Sequence, residues 1–286
     1  MPQDPDRRRL IIGAGVAIAS GALGLGAAMT RWLRSDDDGV DAAASSTSSS
    51  SSSTAATSAA EPSSTTTSTA APSTTQPATT TQATTRRPTG SNGLEVLCRD
   101  AWGAAPPRGT LPRHTIDELT VHHTAAVLTD NRKVPARIRG FQQGHLDDGF
   151  VDLAYHYVID AHGNVYQARS TDIPGETYTD YDPTGHFLAV CDGNFEEQPI
   201  PAAQLDGLAK LLAWASHHFG VPTSHLTGHR DEAATLCPGK HLYATLQDGS
   251  LKAAIDRYVA AGPPEMVVLC GAEGTARVAA ITAGRD

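Results

Sequence analysis

Hydrophobic residues alternate with polar ones in several short runs beyond residue 94, and this two-residue period predicts β-strands. In the clearest run, Leu119 and Val121 fall on one face while Thr120 and His122 fall on the other. A turn at residues 160–164 joins the second run to the third and predicts a hairpin. The runs that predict strands are residues 117–124, 152–160, 165–168 and 187–191.

Tyr155, Tyr157 and Ile159 also follow a two-residue spacing, so the sequence predicts that they share one face of the second strand. A short apolar run at residues 266–269 resembles a strand and precedes a weakly patterned tail. We therefore expect the folded domain to span residues 94–262 and residues 263–286 to form a C-terminal tail of unassigned role.

Two segments have the period of three to four residues that is typical of amphipathic helices. Asp130 or Asn131 caps the first of them, whose mostly apolar stripe also carries His145. The second covers residues 203–219 and ends at Gly220, a residue that favours the left-handed backbone found after helices. The strands and helices together predict an α/β fold with a mixed central β-sheet flanked by α-helices.

The beginning of the chain has a different composition. Three arginines, Arg7 to Arg9, precede an uncharged run at residues 10–29 that is rich in Gly and Ala. A basic flank before such a run is typical of export signals, and the arginines resemble the twin-arginine class. Because a run of about twenty residues is also long enough to span a membrane, we interpret residues 1–34 as a signal, either cleaved or retained as an anchor. A buried core helix is the less favoured alternative.

Residues 35–93 consist mostly of Ser, Thr, Ala, Pro and Gln. This segment has too little apolar surface to offset the entropy lost on ordering, so the composition predicts a disordered linker. Two interpretations stay open: the linker gives the folded domain reach from a membrane, or it only separates the two parts of the chain. In either case we expect an exported protein, located in the cell envelope or secreted.

The net charge is −9 and the isoelectric point is near 5.7, so we expect no basic surface for nucleic acid. The cysteines all follow the linker. If Cys237 binds a metal, three others remain, and at least one thiol is left unpaired in an exported protein. Cys98 has two candidate disulfide partners, Cys191 and Cys270, and the sequence does not choose between them.

A polar loop contains His229 and Cys237, with seven residues between them. Neutral imidazole and thiolate are ligands that zinc prefers, and a flexible segment of this length can bring both to one ion. A third ligand must come from elsewhere, and His122 and His123, at the end of a predicted strand, are the obvious donors. Because adjacent strand residues face opposite sides, only one of the two faces the ion readily.

Five segments of the chain match, in order, the motifs of a known family. The segments are RDAWGA at 99–104, TVHHTA at 120–125, DLAYHY at 152–157, GNF at 193–195, and GHRD at 228–231 followed by TLCPG at 235–239. Over roughly residues 95–260 the chain resembles the zinc-dependent N-acetylmuramoyl-L-alanine amidases, which share their fold with peptidoglycan recognition proteins. Five motifs in register are far more specific than any one of them.

The resemblance implies that His122, His229 and Cys237 hold one zinc ion (Zn2+) in a groove over the strand ends. It implies that Tyr155 and Thr235 are catalytic, stabilising the charge that develops on the substrate oxygen. The implied substrate is peptidoglycan or a muropeptide, cut between the lactyl group of N-acetylmuramic acid and L-alanine. Three protein ligands are typical of catalytic rather than structural zinc.

Four further residues are candidates for substrate binding. His145 matches a histidine that the family places near the groove, although a buried histidine bonded to backbone is the commoner explanation. Most relatives have Gly-Ala-His where this chain has GET at residues 175–177, so the family's substrate contacts there do not carry over. Glu176, Asp182 and His186 are candidates to replace them, or the loop recognises a different stem peptide.

Two alternatives to a zinc enzyme remain. One is a peptidoglycan-binding protein that does not cut, and the other is a cysteine hydrolase with Cys237 as nucleophile and His229 as base. Many non-catalytic relatives lack the cysteine, so its presence with both histidines and the tyrosine favours the enzyme. We expect a monomer that contacts the membrane only through its N-terminal segment.

Overall fold

A seven-stranded β-sheet forms the centre of residues 92–286, the part of the chain that this computed structural model describes. The signal or anchor predicted at residues 1–34 lies outside the described residues, as does the predicted linker up to residue 91. The strands are, in chain order, β1 (Gly93–Leu97), β2 (Glu118–His123), β3 (Tyr157–Ile159), β4 (Val165–Gln167), β5 (His186–Cys191), β6 (Leu226–Gly228) and β7 (Glu265–Leu269).

The sheet is mixed, as the sequence predicts. Its strands lie in the order β6-β2-β5-β3-β4-β1-β7, and β3 and β4 form the one antiparallel pair among the described strands. Strands β2, β5 and β6 are parallel, so their C-terminal ends lie at the same edge of the sheet. Val121 of β2 pairs with Gly228 of β6, which brings the next residues, His122 and His229, together at that edge.

Helices pack on both faces of the sheet, which confirms the predicted fold class. The helices are α1 (Arg99–Trp102), α2 (Val134–Asp147), α3 (Ala202–Phe219), α4 (His229–Glu232), α5 (Lys240–Gln247), α6 (Ser250–Ala260) and α7 (Gly271–Thr282). One hydrophobic core joins the sheet to α3, α5 and α6, and a second joins it to α1, α2 and α7. Within residues 92–286, no helix combines the length and the apolar character that crossing a membrane requires.

Side chains of β2 alternate between the two faces as predicted. Leu119 and Val121 are fully buried in the core beneath α3. His122 lies on the other face, where its ring contacts Tyr155, a residue packed against the second core. The face of the sheet that carries α2 therefore also carries the candidate metal-binding histidine.

The strand predicted at residues 152–160 is shorter than expected, and Tyr155 is not part of it. The regular strand begins at Tyr157, whose side chain packs in the core beneath α3, whereas Tyr155 packs against the opposite core. The prediction that these tyrosines share a face was therefore wrong. The guanidinium of Arg169, which is fully buried, donates to the carbonyl oxygens of Asp152 and Leu153 at 3.0 and 2.8 Å. These side-chain bonds replace ladder pairing there.

Both predicted helices are present. A 3-10 turn at Asn131–Lys133 leads into α2, and the carboxylate of Asp130 caps this turn by accepting from the Arg132 N–H at 3.1 Å. Helix α3 ends at Gly220, whose φ of 71° lies in the left-handed region that glycine adopts without strain. The capping residues named from the sequence therefore act at these positions.

The predicted domain end at residue 262 was wrong, because residues 263–286 belong to the same sheet and core. Strand β7 pairs in parallel with β1 over its whole length, and α7 packs on the second core. A disulfide joins Cys98, just after β1, to Cys270, just before α7. This settles the pairing that the sequence left open and leaves Cys191 and Cys237 as buried free thiols.

Candidate metal centre

Three side chains with metal-binding atoms meet at the strand edge that β2 and β6 share. His122 lies near the end of β2, His229 is the first residue of α4, and Cys237 lies in the loop before α5. The three are 2%, 8% and 9% exposed, so each is buried. One candidate ligand atom from each lies within 4.8 Å of the other two. The structure thus brings together the three residues that the sequence proposes as metal ligands.

The geometry of this cluster fits zinc. The sulfur of Cys237 lies 3.6 Å from Nδ1 of His122. A tetrahedral zinc ion with bonds of about 2.3 Å to sulfur and about 2.0 Å to nitrogen holds such atoms roughly 3.5 Å apart. The His122 and His229 ring centroids are 4.7 Å apart. A set of two imidazoles and one thiol is also a donor set that zinc prefers.

Burial sets the protonation of these groups. It lowers the pKa of His122 well below its ordinary value and that of His229 to about 4, so both imidazoles are neutral, as metal ligands must be. Burial also raises the pKa of the Cys237 thiol to about 12. Since a metal binds the thiolate, the cation itself must displace the thiol proton, and ion binding should release that proton to solvent.

His123 is not part of the cluster. Its Nδ1 accepts a hydrogen bond from the Phe195 N–H at 3.2 Å, and its ring packs near the Phe195 ring. Its backbone N–H instead donates to the Cys237 sulfur at 3.3 Å. His123 therefore supports the cysteine through its main chain, while its side chain is satisfied on the other face of the sheet.

The loop that carries Cys237 is fixed at both ends. The hydroxyl oxygen of Thr235 accepts from the Cys237 N–H at 3.2 Å. Gly239 has a φ of 87°, and a side chain there would lie 2.4 Å from the carbonyl carbon of Phe195. Arg230 donates to the carbonyl oxygen of Leu236. These contacts hold the cysteine in place.

Tyr155 lies beside the cluster on the His122 side. The two ring centroids are 5.1 Å apart. Burial, reinforced by nearby Cys237, raises the pKa of Tyr155 above its ordinary value. The phenol therefore keeps its proton at neutral pH and is a hydrogen-bond donor.

His145 lies farther along the same face, in the last turn of α2. Its ring centroid is 6.0 Å from that of Tyr155, and it stacks on Phe150 at 5.3 Å. Its Nδ1 accepts from the Ala154 N–H at 3.1 Å, so the proton of the neutral ring lies on Nε2. Burial lowers the pKa of His145 to about 4, which keeps the ring neutral. This histidine is bonded to the backbone and also adjoins Tyr155.

Known proteins resemble this chain across the domain. A family model described as N-acetylmuramoyl-L-alanine amidase matches residues 112–240. Peptidoglycan-recognition protein SD of Drosophila simulans is 30% identical over 159 residues, which are 54% of this chain and 85% of that protein. The chain belongs to the amidase type 2 and peptidoglycan recognition protein family.

Two further comparisons describe the breadth of this family. An N-acetylmuramoyl-L-alanine amidase of Sus scrofa is 32% identical over 169 residues, which are 55% of this chain but only 27% of that protein. The crystal structure of Drosophila peptidoglycan recognition protein SD matches with a TM-score of 0.50 and 30% identity, over 53% of this chain and 92% of that one. Proteins named as amidases and proteins named for recognition thus share this domain.

Residues 175–186, the divergent segment, begin with the GET that stands in place of the family's Gly-Ala-His, and they lie against the metal cluster. Within it, Glu176 forms an ion pair with buried Arg169, and its Oε2 also accepts from the Val151 N–H at 2.9 Å. That oxygen therefore already has two partners within the protein. His186 bonds to the Thr120 hydroxyl through Nδ1 at 2.8 Å, which leaves Nε2 as its other polar atom.

The sequence did not identify two residues of the divergent segment, Thr179 and Tyr181, as neighbours of the metal cluster. The hydroxyl of Thr179 lies 2.7 Å from Nε2 of His229. The ring of Tyr181 lies 5.1 Å from the His229 ring and 5.4 Å from the His186 ring. Neither residue belongs to a family motif, so their place beside a ligand was not readable from the sequence. The one signal in the sequence that pointed to this region was the departure from the family pattern at residues 175–177.

Proposed function

We propose that the protein is a zinc hydrolase that cuts the amide bond between the lactyl group of N-acetylmuramic acid and L-alanine in peptidoglycan. One observation carries the proposal: buried His122, His229 and Cys237 offer ligand atoms within 4.8 Å of one another. Family membership supports it, since the matching model is described as N-acetylmuramoyl-L-alanine amidase.

In this hydrolysis the oxygen of water bonds to the lactyl carbonyl carbon and the C–N bond breaks. The amino group of L-alanine then leaves with a proton from that water. Zinc held by His122, His229 and Cys237 would supply Lewis acidity, polarising the carbonyl and lowering the pKa of water. Three protein ligands are the usual number for a catalytic zinc site.

The remaining groups would stabilise charge and position the substrate. Tyr155 keeps its proton and would donate to the carbonyl oxygen as negative charge develops on it. The oxygen of Thr235 accepts from the Cys237 N–H, which leaves its own O–H to donate to the same oxygen. The Nε2 proton of His145 is available to bind a substrate acceptor beside Tyr155.

A peptidoglycan-binding protein without activity is the second candidate function. It is favoured by the similarity to Drosophila peptidoglycan-recognition protein SD and by the departure from the family pattern at residues 175–177. A cysteine hydrolase is less compatible with the site, because burial raises the pKa of Cys237 to about 12 and the nucleophile must be a thiolate. In addition, the histidine that contacts the Cys237 sulfur through a ring nitrogen is His122, whereas the suggested base is His229.

We further propose an exported monomer located in the cell envelope or secreted, with any membrane contact made through residues 10–29. The disulfide between Cys98 and Cys270 supports this compartment, since disulfides persist in oxidising surroundings. The net charge of −9 agrees with the absence of nucleic acid from the expected partners.

The test is to incubate purified protein with muropeptides, with and without a chelator, and to measure free stem peptide by mass spectrometry. We expect release by the zinc-loaded protein, loss with chelator, and recovery when zinc is returned. Cys237→Ser should lose both zinc and activity, whereas Cys191→Ser, which changes the other free cysteine, should keep its zinc. Binding without release by zinc-loaded wild type would assign the recognition function instead.

A further inference from the structure

The hydroxyl of Tyr181 is buried and, within residues 92–286, has no hydrogen-bond partner. Buried polar groups are nearly always paired, and an unpaired one destabilises the fold unless a ligand or water completes it. The ring of Tyr181 is held between His229, at 5.1 Å, and His186, at 5.4 Å between ring centroids. A donor without an acceptor thus lies next to a residue of the metal cluster.

The segment that carries Tyr181 is anchored to the cluster. Thr179 bonds to Nε2 of His229 at 2.7 Å, and the hydroxyls of Thr177 and Thr179 lie 2.8 Å apart. The backbone N–H of Thr179 also donates to the Thr177 hydroxyl at 3.1 Å. These bonds hold Thr177 and Thr179 in place beside His229, just ahead of Tyr181 in the chain.

Three other polar residues of this segment already have hydrogen-bond partners within the protein. Oε2 of Glu176 binds Arg169 and the Val151 N–H, and Oδ1 of Asp182 accepts from the Thr184 N–H at 3.0 Å. His186 is bonded to Thr120 through Nδ1. Tyr181 is half-buried beside His229, and its buried hydroxyl has no hydrogen-bond partner among the described residues.

We propose that the Tyr181 hydroxyl donates a hydrogen bond to the carbonyl oxygen of the scissile amide, as a second phenol beside the metal cluster. The inference rests on the proposed function. The ring centroids of Tyr155 and His122 are 5.1 Å apart, as are those of Tyr181 and His229, so one phenol adjoins each of the two histidines. A phenol is a donor at neutral pH, and the carbonyl oxygen is the substrate atom that gains negative charge.

The test compares Tyr181→Phe with Tyr258→Phe in the full-length, zinc-loaded protein. Both changes delete one phenol hydroxyl, but Tyr258 lies on α6, where its hydroxyl bonds to Asp206. With N-acetylmuramoyl-L-alanyl-D-isoglutamine as substrate, we expect kcat/KM to fall about 100-fold in Tyr181→Phe, as for loss of one oxyanion donor. Tyr258→Phe should stay within about twofold of wild type, since ordinary surface changes have small effects.

Zinc affinity, measured by competition with a chromophoric chelator, separates a substrate contact from a role in holding the metal. Tyr181→Phe should bind zinc as tightly as wild type. The inference would be overturned if Tyr181→Phe had the same kcat/KM as wild type. It would also be overturned if the fall in kcat/KM were no larger than the fall in zinc affinity.

Calorimetric titration with the same muropeptide distinguishes failure of this inference from failure of the proposed function. If wild type binds the muropeptide but releases no peptide, the hydrolase proposal fails. The affinities of wild type and Tyr181→Phe for the muropeptide then test whether Tyr181 contacts the substrate. A loss of about tenfold in Tyr181→Phe, which corresponds to about 1.4 kcal/mol and is typical of one hydrogen bond, would then support the contact. Equal affinity would reject it, and a wild type that neither binds nor cuts would overturn both proposals.

Discussion

The hydroxyl of Thr179 lies 2.7 Å from Nε2 of His229, so the nitrogen of this ring that faces the divergent segment is already bonded within the protein. When Nε2 carries the proton and donates it to Thr179, the lone pair of the neutral imidazole lies on Nδ1. The hydrogen bond to Thr179 therefore fixes the rotation of this ring, and in that tautomer it leaves Nδ1 as the nitrogen that can bind a metal. Partners of this kind are a general feature of metal-binding histidines.

Thr179→Val should therefore weaken zinc binding by about 10- to 100-fold, the usual effect of removing a group that orients a ligand. The valine keeps the shape of the side chain but cannot accept the Nε2 proton. Competition with a chromophoric chelator would measure the affinity, and Thr179→Ser should restore it. Thr282→Val, a similar change at the end of α7, is the control. Unchanged affinity in Thr179→Val would mean that His229 is oriented by its backbone and Tyr181 alone.

The three proposed ligands could be named from the sequence because each stands in a short motif with its own spacing. His229 and Cys237 are separated by seven residues, and β-strand alternation restricts the third ligand to one member of the pair His122 and His123. A local motif predicts a ligand well because the residues that form the motif also make the contacts on which the prediction depends. The edge where they meet then follows from the parallel pairing of β2 with β6.

The parts that sequence reasoning missed depend on contacts distant along the chain. Tyr155 and Tyr157 pack in different cores, and the irregular backbone ahead of β3 is bonded by Arg169, which lies beyond the hairpin. Strand β7 joins the sheet only by pairing with β1, about 170 residues earlier, as the Cys98–Cys270 separation of 172 indicates. Neither contact leaves a periodic pattern in the residues concerned.

Replacing Glu176 by Gln should distinguish a substrate-binding residue from a structural one. The carboxylate pairs with Arg169, whose side chain is fully buried, so its loss leaves a buried charge without its anionic partner. We expect the free energy of unfolding to fall by about 1–3 kcal/mol, the cost of losing a hydrogen bond to a charged group. Urea denaturation would measure this fall, and KM for a muropeptide should stay within about twofold, since the substrate contact is intact. A rise in KM with unchanged stability would instead place Glu176 in the binding groove.

The Cys98–Cys270 disulfide joins the end of β1 to the start of α7 and thereby closes most of the domain into one loop. The double change Cys98→Ser and Cys270→Ser should lower the free energy of unfolding by about 2–5 kcal/mol, because the unfolded chain regains entropy. Urea denaturation with and without reductant checks this, since reductant should destabilise wild type alone. The zinc content should not change, because neither cysteine belongs to the metal cluster. An unaltered urea midpoint would show that strand pairing and packing of α7 suffice.

His156 should make the protein less stable in acid. Its Nδ1 accepts from the Leu188 N–H at 2.9 Å, and its Nε2 donates to the carbonyl oxygen of Ile173 at 3.1 Å, so the buried ring is neutral. Burial lowers the pKa of His156 to about 3, although the bond to Ile173 opposes the shift and nearby His114 and Arg169 reinforce it. In the unfolded chain the pKa returns to about 6.5.

Between these two pKa values His156 binds a proton in the unfolded state but not in the folded state. The free energy of unfolding therefore falls as pH decreases from about 6.5 towards 3. One such group contributes at most about 1.4 kcal/mol per pH unit to the slope. His156→Gln, which keeps a donor for Ile173, should be less stable at pH 7 but should have a shallower slope between pH 6.5 and 4. Urea denaturation in chelator removes any contribution from zinc release, and His217→Gln, an exposed change on α3, is the control. A slope equal to that of wild type would mean that the folded protein protonates His156 as readily as the unfolded chain does.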